Sequence, residues 1–108
     1  MNIKDWQKIV DEWISQFEEG YWQPSTMMLR LTEEVGELAR EINHLYGQKP
    51  KKPSEPENDL ALEMADILFI IICMANSLNI DLEKAFIKMM EKYRLRDSDR
   101  WKKKIESP

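Results

Sequence analysis

Apolar residues recur along this chain at spacings of three and four, and no stretch alternates apolar with polar positions. That period is helical, and it predicts an all-α protein. A first helix is expected over residues 2–18, with Ile3, Trp6, Ile9, Val10, Trp13 and Phe17 on one face and Gly20 as its stop. A second is expected over 25–46, opened by Pro24 and capped by Ser25 or Thr26. Ser54 and Glu57 offer a capping box for a third over 56–78. Asp81 heads a fourth over 81–95, whose face is Leu82, Ala85, Phe86, Met89, Met90 and Tyr93. The nine residues from Ile67 to Ala75 are apolar on every side, as in the central helix of a bundle or a dimer core. The expectation is a four-helix bundle formed by one domain over residues 1–108, with 97–108 a basic, partly flexible tail.

Four acids break this pattern. With Glu34 as the zero of a helical wheel, Met27, Leu31, Leu38 and Leu45 lie within about 60°, and Glu37 lies about 60° to the other side. Glu63 and Asp66 repeat the anomaly, sharing a face with Leu60, Ile67, Ile70 and Met74. A carboxylate inside an apolar stripe is costly unless positive charge meets it. If the two helices pack antiparallel, four carboxylates converge, and they cannot all stay ionised unaided. A hard divalent cation resolves the conflict, and an all-oxygen donor set favours magnesium or manganese. Magnesium shares its coordination readily with substrate phosphates, so a nucleotide phosphate is the matching ligand class. Glu33 and Glu41 border the cluster; Glu33 either adds a ligand, orients a water or lies on the surface. The competing reading is a salt-bridged core with the basic C-terminal segment as partner. Two acid pairs, each centred on an apolar stripe, favour the metal.

Charge is unevenly spread. Residues 1–83 hold 7 basic and 16 acidic side chains, whereas 84–108 hold 9 basic and 4 acidic. The basic segment either binds phosphate or is a solvated helix end. A formal net charge of −4 and the lack of a basic groove argue against nucleic-acid binding. Cys73 is the only cysteine and sits in the apolar run, so it reads as a core residue in a reducing compartment. The N-terminus is too polar for a secretion signal, and the nine-residue apolar run is too short for a bilayer, so a cytoplasmic location without membrane association is expected. His44 is the only histidine and faces away from Glu34, which leaves a ferritin-like di-iron site unsupported. Tyr21 and Trp22, before Pro24, are either packing residues or a platform for a flat ligand. Lys49, Lys51 and Lys52 lie in a Pro-rich loop that is either solvated or within reach of a phosphate tail.

The acids also carry a resemblance. Glu33-Glu34-Val-Gly-Glu37, followed after 25 residues by Glu63-Met-Ala-Asp66, resembles the Glu-Glu-x-x-Glu and Glu-x-x-Asp pattern of MazG-like nucleotide pyrophosphohydrolases. These belong to the all-α NTP pyrophosphatase superfamily. The flanks Gly20–Pro24, Met27–Glu41, Tyr46–Lys52 and Arg96–Trp101 are most similar to its small single-domain, YpjD-type members. The resemblance implies hydrolysis of a nucleoside triphosphate to monophosphate and pyrophosphate. It puts Glu34, Glu37, Glu63 and Asp66 at the ligand positions for Mg²⁺, with Mn²⁺ a possible substitute, and implies a homodimer or homotetramer. Glu34 or Glu33 would take the proton from the attacking water. Lys92, Arg96 and Arg100 would bind phosphate oxygens, and Trp22 or Tyr21 would stack on the base. Related alternatives are a dUTP-type or phosphoribosyl-ATP-type pyrophosphohydrolase, or a helical interaction module without activity.

Overall fold

The structure, a computed structural model, describes residues 1–48, 51–53 and 59–104. It consists of α1 (Ile3–Ser15), α2 (Pro24–Tyr46), α3 (Leu60–Ser77) and α4 (Leu82–Asp97), with no strand among the described residues. α2 lies along α3, α1 packs on α3, and α4 reaches α1. Val10, Met27, Ile70, Ile72 and Cys73 form the buried core where the first three helices meet.

Local chemistry explains where these helices begin and end. Asn2 caps α1 through a reciprocal box with Asp5: the Asp5 amide donates to Asn2 Oδ1 at 2.8 Å and the Asn2 amide to Asp5 Oδ2 at 3.1 Å. α1 stops at Ser15, three residues short of the expected end, because the Phe17 amide turns back to the Ile14 carbonyl and Gly20 adopts φ +65°. α3 opens at Leu60 rather than 56, since Asp59 Oδ1 accepts from the amides of Ala61 and Leu62. The expected Ser54–Glu57 capping box and Lys49 lie outside the described residues. α3 ends in a Schellman motif: the Ile80 amide donates to the Ala75 carbonyl and Asn79 takes φ +56°. α4 runs two residues past its expected end, to Asp97.

Gly20 makes the chain reversal after α1 possible. A Cβ there would meet nothing within 4 Å, so any cost of adding one is backbone strain alone. Gly20→Ala is expected to lower the unfolding free energy by about 1 kcal/mol, measurable by urea denaturation.

Two faces differ from the sequence pattern. The buried side of α1 carries Gln7 and Val10, flanked by Ile3 and Ile14; Trp6, Trp13 and Phe17 are about half exposed. α3, expected to be buried all round, is covered on one side: Ile70, Ile72, Cys73 and Ala75 are buried, whereas Leu68 is 55% exposed. The reason is that α1 and α2 pack against it from within the chain and leave the opposite face bare. By length and a mean hydropathy of 1.8, α3 has the composition of a membrane span. Yet it carries Glu63 and Asp66 in its first two turns and packs on α1 and α2, which makes it the core helix of the fold. The Cα radius of gyration is 18.4 Å, against about 13 Å for a compact chain of this length.

Candidate active site

The stripe of α2 that meets α3 runs Met27, Leu31, Glu34, Leu38, Glu41, and both acids in it are buried. Glu41 is held by Lys51, whose ammonium lies 3.1 and 3.3 Å from its two oxygens. Lys51 is therefore neither a freely solvated loop residue nor poised for a phosphate tail; it ties the chain after α2 back onto that helix.

Glu34 is 3% exposed and meets the acids of α3. One carboxylate oxygen from each of Glu34, Glu37 and Glu63 lies within 4.8 Å of the others, the one such cluster among the described residues. Asp66 is outside that tightest set. It follows Glu63 by one turn of α3 and lines the adjoining cavity together with Glu34. Burial pushes the Glu34 carboxyl above the ordinary carboxylate range; Arg30 opposes this, and Glu37, Asp66 and Glu63 reinforce it. Glu33, by contrast, points outward with its side chain 67% exposed.

These residues fit a divalent cation. Glu63 Oε2 is buried with no hydrogen-bond partner among the described residues, so its lone pairs are left without a donor there. The donor set is all oxygen, as hard cations prefer. A salt-bridged core does not account for it: the cation on Glu34 is Arg30 of the same helix, 2.7 Å away, and not the basic C-terminal segment.

Beside the acids opens a cavity of about 470 Å³, largely apolar. α1 contributes Trp13 and Ile14, the connection after it Phe17, Tyr21 and Trp22, and α3 Phe69, Ile70 and Cys73. Trp13 meets Phe17 and Phe69 edge-on, with centroids 4.9 and 6.4 Å apart, so the wall is built of interlocked rings. Tyr21 is anchored by its hydroxyl, which donates to Asp11 at 2.7 Å and accepts from Asn76 at 3.0 Å. Burial, then the Asp11 hydrogen bond, raise that phenol to about 12. Trp22, half exposed, is the more available of the two aromatic platforms. Burial lifts the Cys73 thiol to about 11, as befits a core residue.

Lys92, Arg96 and Arg100 do not line the cavity. Arg96 forks onto Asp97 and lies over Tyr93 at 5.0 Å, and Arg100 lies over Trp101 at 5.2 Å. The basic group that the cavity does contain is Arg30, which sequence reasoning missed. Its signal was available, since Arg30 precedes Glu34 by four residues, the spacing of a helical ion pair.

Residues 22–101 match the MazG nucleotide pyrophosphohydrolase domain. The YpjD protein of Bacillus subtilis (strain 168) is 54% identical over 104 residues, covering 96% of this chain and 94% of that protein. The mouse (Mus musculus) dCTP pyrophosphatase 1 is 31% identical over 81 residues, covering 72% of this chain and 48% of that protein. A crystal structure described as the Bacillus-conserved MazG protein, a nucleotide pyrophosphohydrolase, superposes with a TM-score of 0.77 at 54% identity, over 92% of this chain and 96% of that one. Four strandless helices, two of them bearing facing acids beside an aromatic cavity, agree with these matches, and the chain belongs to the MazG nucleotide pyrophosphohydrolase family.

Proposed function

We propose that this hydrolase cleaves a nucleoside or deoxynucleoside triphosphate between the α- and β-phosphorus, with magnesium, or manganese in its place, as the metal. The observation that carries the reading is the convergence of Glu34, Glu37 and Glu63 on one point, with Glu63 Oε2 buried and unpartnered there. Glu34, Glu37, Glu63 and Asp66 would hold the metal. When bound, magnesium supplies Lewis-acid polarisation of the phosphoanhydride and charge neutralisation for the departing pyrophosphate.

The rest of the chemistry falls to the chain's own groups. The aromatic cavity shelters the nucleoside, with Trp22 offering a stacking face and Tyr21 a fixed wall. Phosphates leaving that cavity pass Arg30, Glu34 and Asp66 on its wall. Glu34 or Glu33 would take the proton from the attacking water; Glu34 stands in the cluster, and Glu33 would have to turn inward from its exposed position to reach it. Lys92, Arg96 and Arg100 would serve phosphate oxygens once assembly places an α4 beside a cavity.

Assembly as a homodimer or homotetramer is part of the proposal. The radius of gyration of 18.4 Å and the bare apolar residues Leu68, Phe86 and Ile87 are what a subunit lacking its partner presents. A cytoplasmic location suits a nucleotide substrate and a free thiol at Cys73. Removal of non-standard nucleotides is the role in keeping with a wall that offers stacking more than hydrogen bonds, and dCTP belongs in the panel because of the mouse relative's name.

The test is a panel of standard and modified NTPs and dNTPs with magnesium or manganese, quantifying monophosphate and pyrophosphate together. Equal yields of the two products from at least one nucleotide are expected. Release of orthophosphate in place of pyrophosphate, or no product from any nucleotide, would sink the proposal.

A further inference from the structure

Arg30 occupies a position that neither the acid motif nor the cavity explains by itself. It stands one turn before Glu34, lines the same cavity as Tyr21 and Trp22, and is half exposed. One of its nitrogens lies 2.7 Å from Glu34 Oε1 and the other 3.5 Å from Glu33 Oε2. The guanidinium therefore marks the boundary between the apolar wall and the carboxylates. Any nucleotide with its base in the cavity and its phosphates at the acids must run past this point.

We propose that Arg30 is a two-position cation: it pairs with Glu34 while the acid cluster is empty, and turns to a substrate phosphate oxygen when a metal takes Glu34. The inference rests on the metal and substrate reading above. Its physical basis is competition for one carboxylate. The guanidinium already sits 2.7 Å from Glu34 Oε1, so a divalent cation on either oxygen of Glu34 would stand close to a second positive group, and the two repel. Once displaced, Arg30 loses its buried partner and keeps the exposed Glu33, a weak surface contact. A phosphate is the stronger acceptor, and its oxygens match the planar fork of the guanidinium. Geometry permits the exchange, because the side chain is half open to solvent and, among the described residues, Glu34 and Glu33 alone hold it by hydrogen bond or ion pair.

Two effects of opposite sign follow, and a merely structural arginine would not produce both. Removing Arg30 removes a competitor, so Arg30→Gln should bind Mn²⁺ alone about three- to tenfold more tightly, read by calorimetry or by electron paramagnetic resonance of free Mn²⁺. The same variant should bind an α,β-methylene nucleoside triphosphate, in saturating Mn²⁺, about tenfold or more weakly, with Arg30→Lys recovering part of the loss. Circular dichroism checks that each variant is folded. Mn²⁺ affinity that is unchanged or weaker in Arg30→Gln would overturn the competition, and unchanged affinity for the analogue would overturn the phosphate contact. Mn²⁺ binding by the unmodified chain separates the two levels: its absence removes the metal site itself, whereas its presence with no change in the variant removes only the role given to Arg30.

Discussion

Glu34→Gln is expected to lower pyrophosphate release by at least about a hundredfold in magnesium, and yet to melt higher than the unmodified chain in metal-free buffer. Both effects come from one buried carboxylate. In the metal-free protein Glu34 is shut off from water and faces Glu37, Asp66 and Glu63, and Arg30 only partly offsets this. Its folded-state pKa therefore lies above the unfolded value. The sign follows from linkage: stability from this group is fully present below the unfolded pKa and is given up as pH rises through the folded one. At neutral pH the group is destabilising, and the amide removes that burden at little cost in shape. The metal-free gain should be largest near neutrality and should shrink toward acid, where the carboxyl is protonated in the unmodified chain too. Magnesium should raise the melting temperature of the unmodified protein and leave the variant nearly unmoved. Thermal melts with and without magnesium, at several pH values, check all of this. A variant that melts lower in metal-free buffer at neutral pH would show that the Arg30–Glu34 bridge outweighs the clustered charge.

Gln7→Leu should cause the largest loss of stability. Gln7 is 9% exposed, and its amide group is used at both ends. Nε2 donates to Asn76 Oδ1 and to the Ile80 carbonyl, each at 3.0 Å, and Oε1 accepts from the Leu82 amide at 3.0 Å. That last bond satisfies one of the unpaired amides at the start of α4, so a side chain of α1 helps to cap another helix. Asn76 returns the grip through Nδ2, which reaches the Gln7 carbonyl and the Tyr21 hydroxyl. Leucine fills the space but strands the Ile80 carbonyl, the Leu82 amide and Asn76 Oδ1. The cost should be about 2–4 kcal/mol, a fall of about 10 °C or more in melting temperature. Chemical denaturation of the variant checks it; a loss under about 0.5 kcal/mol would mean that water replaces Gln7 at this junction.

The helices and the acids could be read because each obeys a short-range rule. Spacing of three and four placed the elements, and Glu34, Glu37 and Glu63 converge as charges misplaced on apolar faces should. What escaped depends on contacts distant in sequence. On α1 the aromatic stripe was the natural choice for the core, but Gln7 decides which side faces α3, because its partners lie about seventy residues away. Gln7 shows the same anomaly as Glu34, a polar group on the stripe of Ile3, Val10 and Ile14, and could have been flagged on that ground. The start of α3 lies later than residue 56 because Asp59, next to the apolar turn, takes the amides of Ala61 and Leu62, and sequence alone did not rank that cap above the Ser54–Glu57 motif. The placement of Lys92, Arg96 and Arg100 away from the cavity could not be read at all, since charge composition says nothing about which helix lies beside which.

The interlocked rings at the cavity wall have a consequence for how such an enzyme can change. Trp13 and Phe17, with Trp22 beside them, come from α1 and the connection after it, whereas Phe69 shares α3 with Glu63 and Asp66. On the proposed reading, the half of the wall outside α2 and α3 can change without touching the carboxylates, whereas Phe69 is tied to the helix that carries two of them. Drift in the first helix and its connection can retune the guest while the machinery for cleavage is passed on intact.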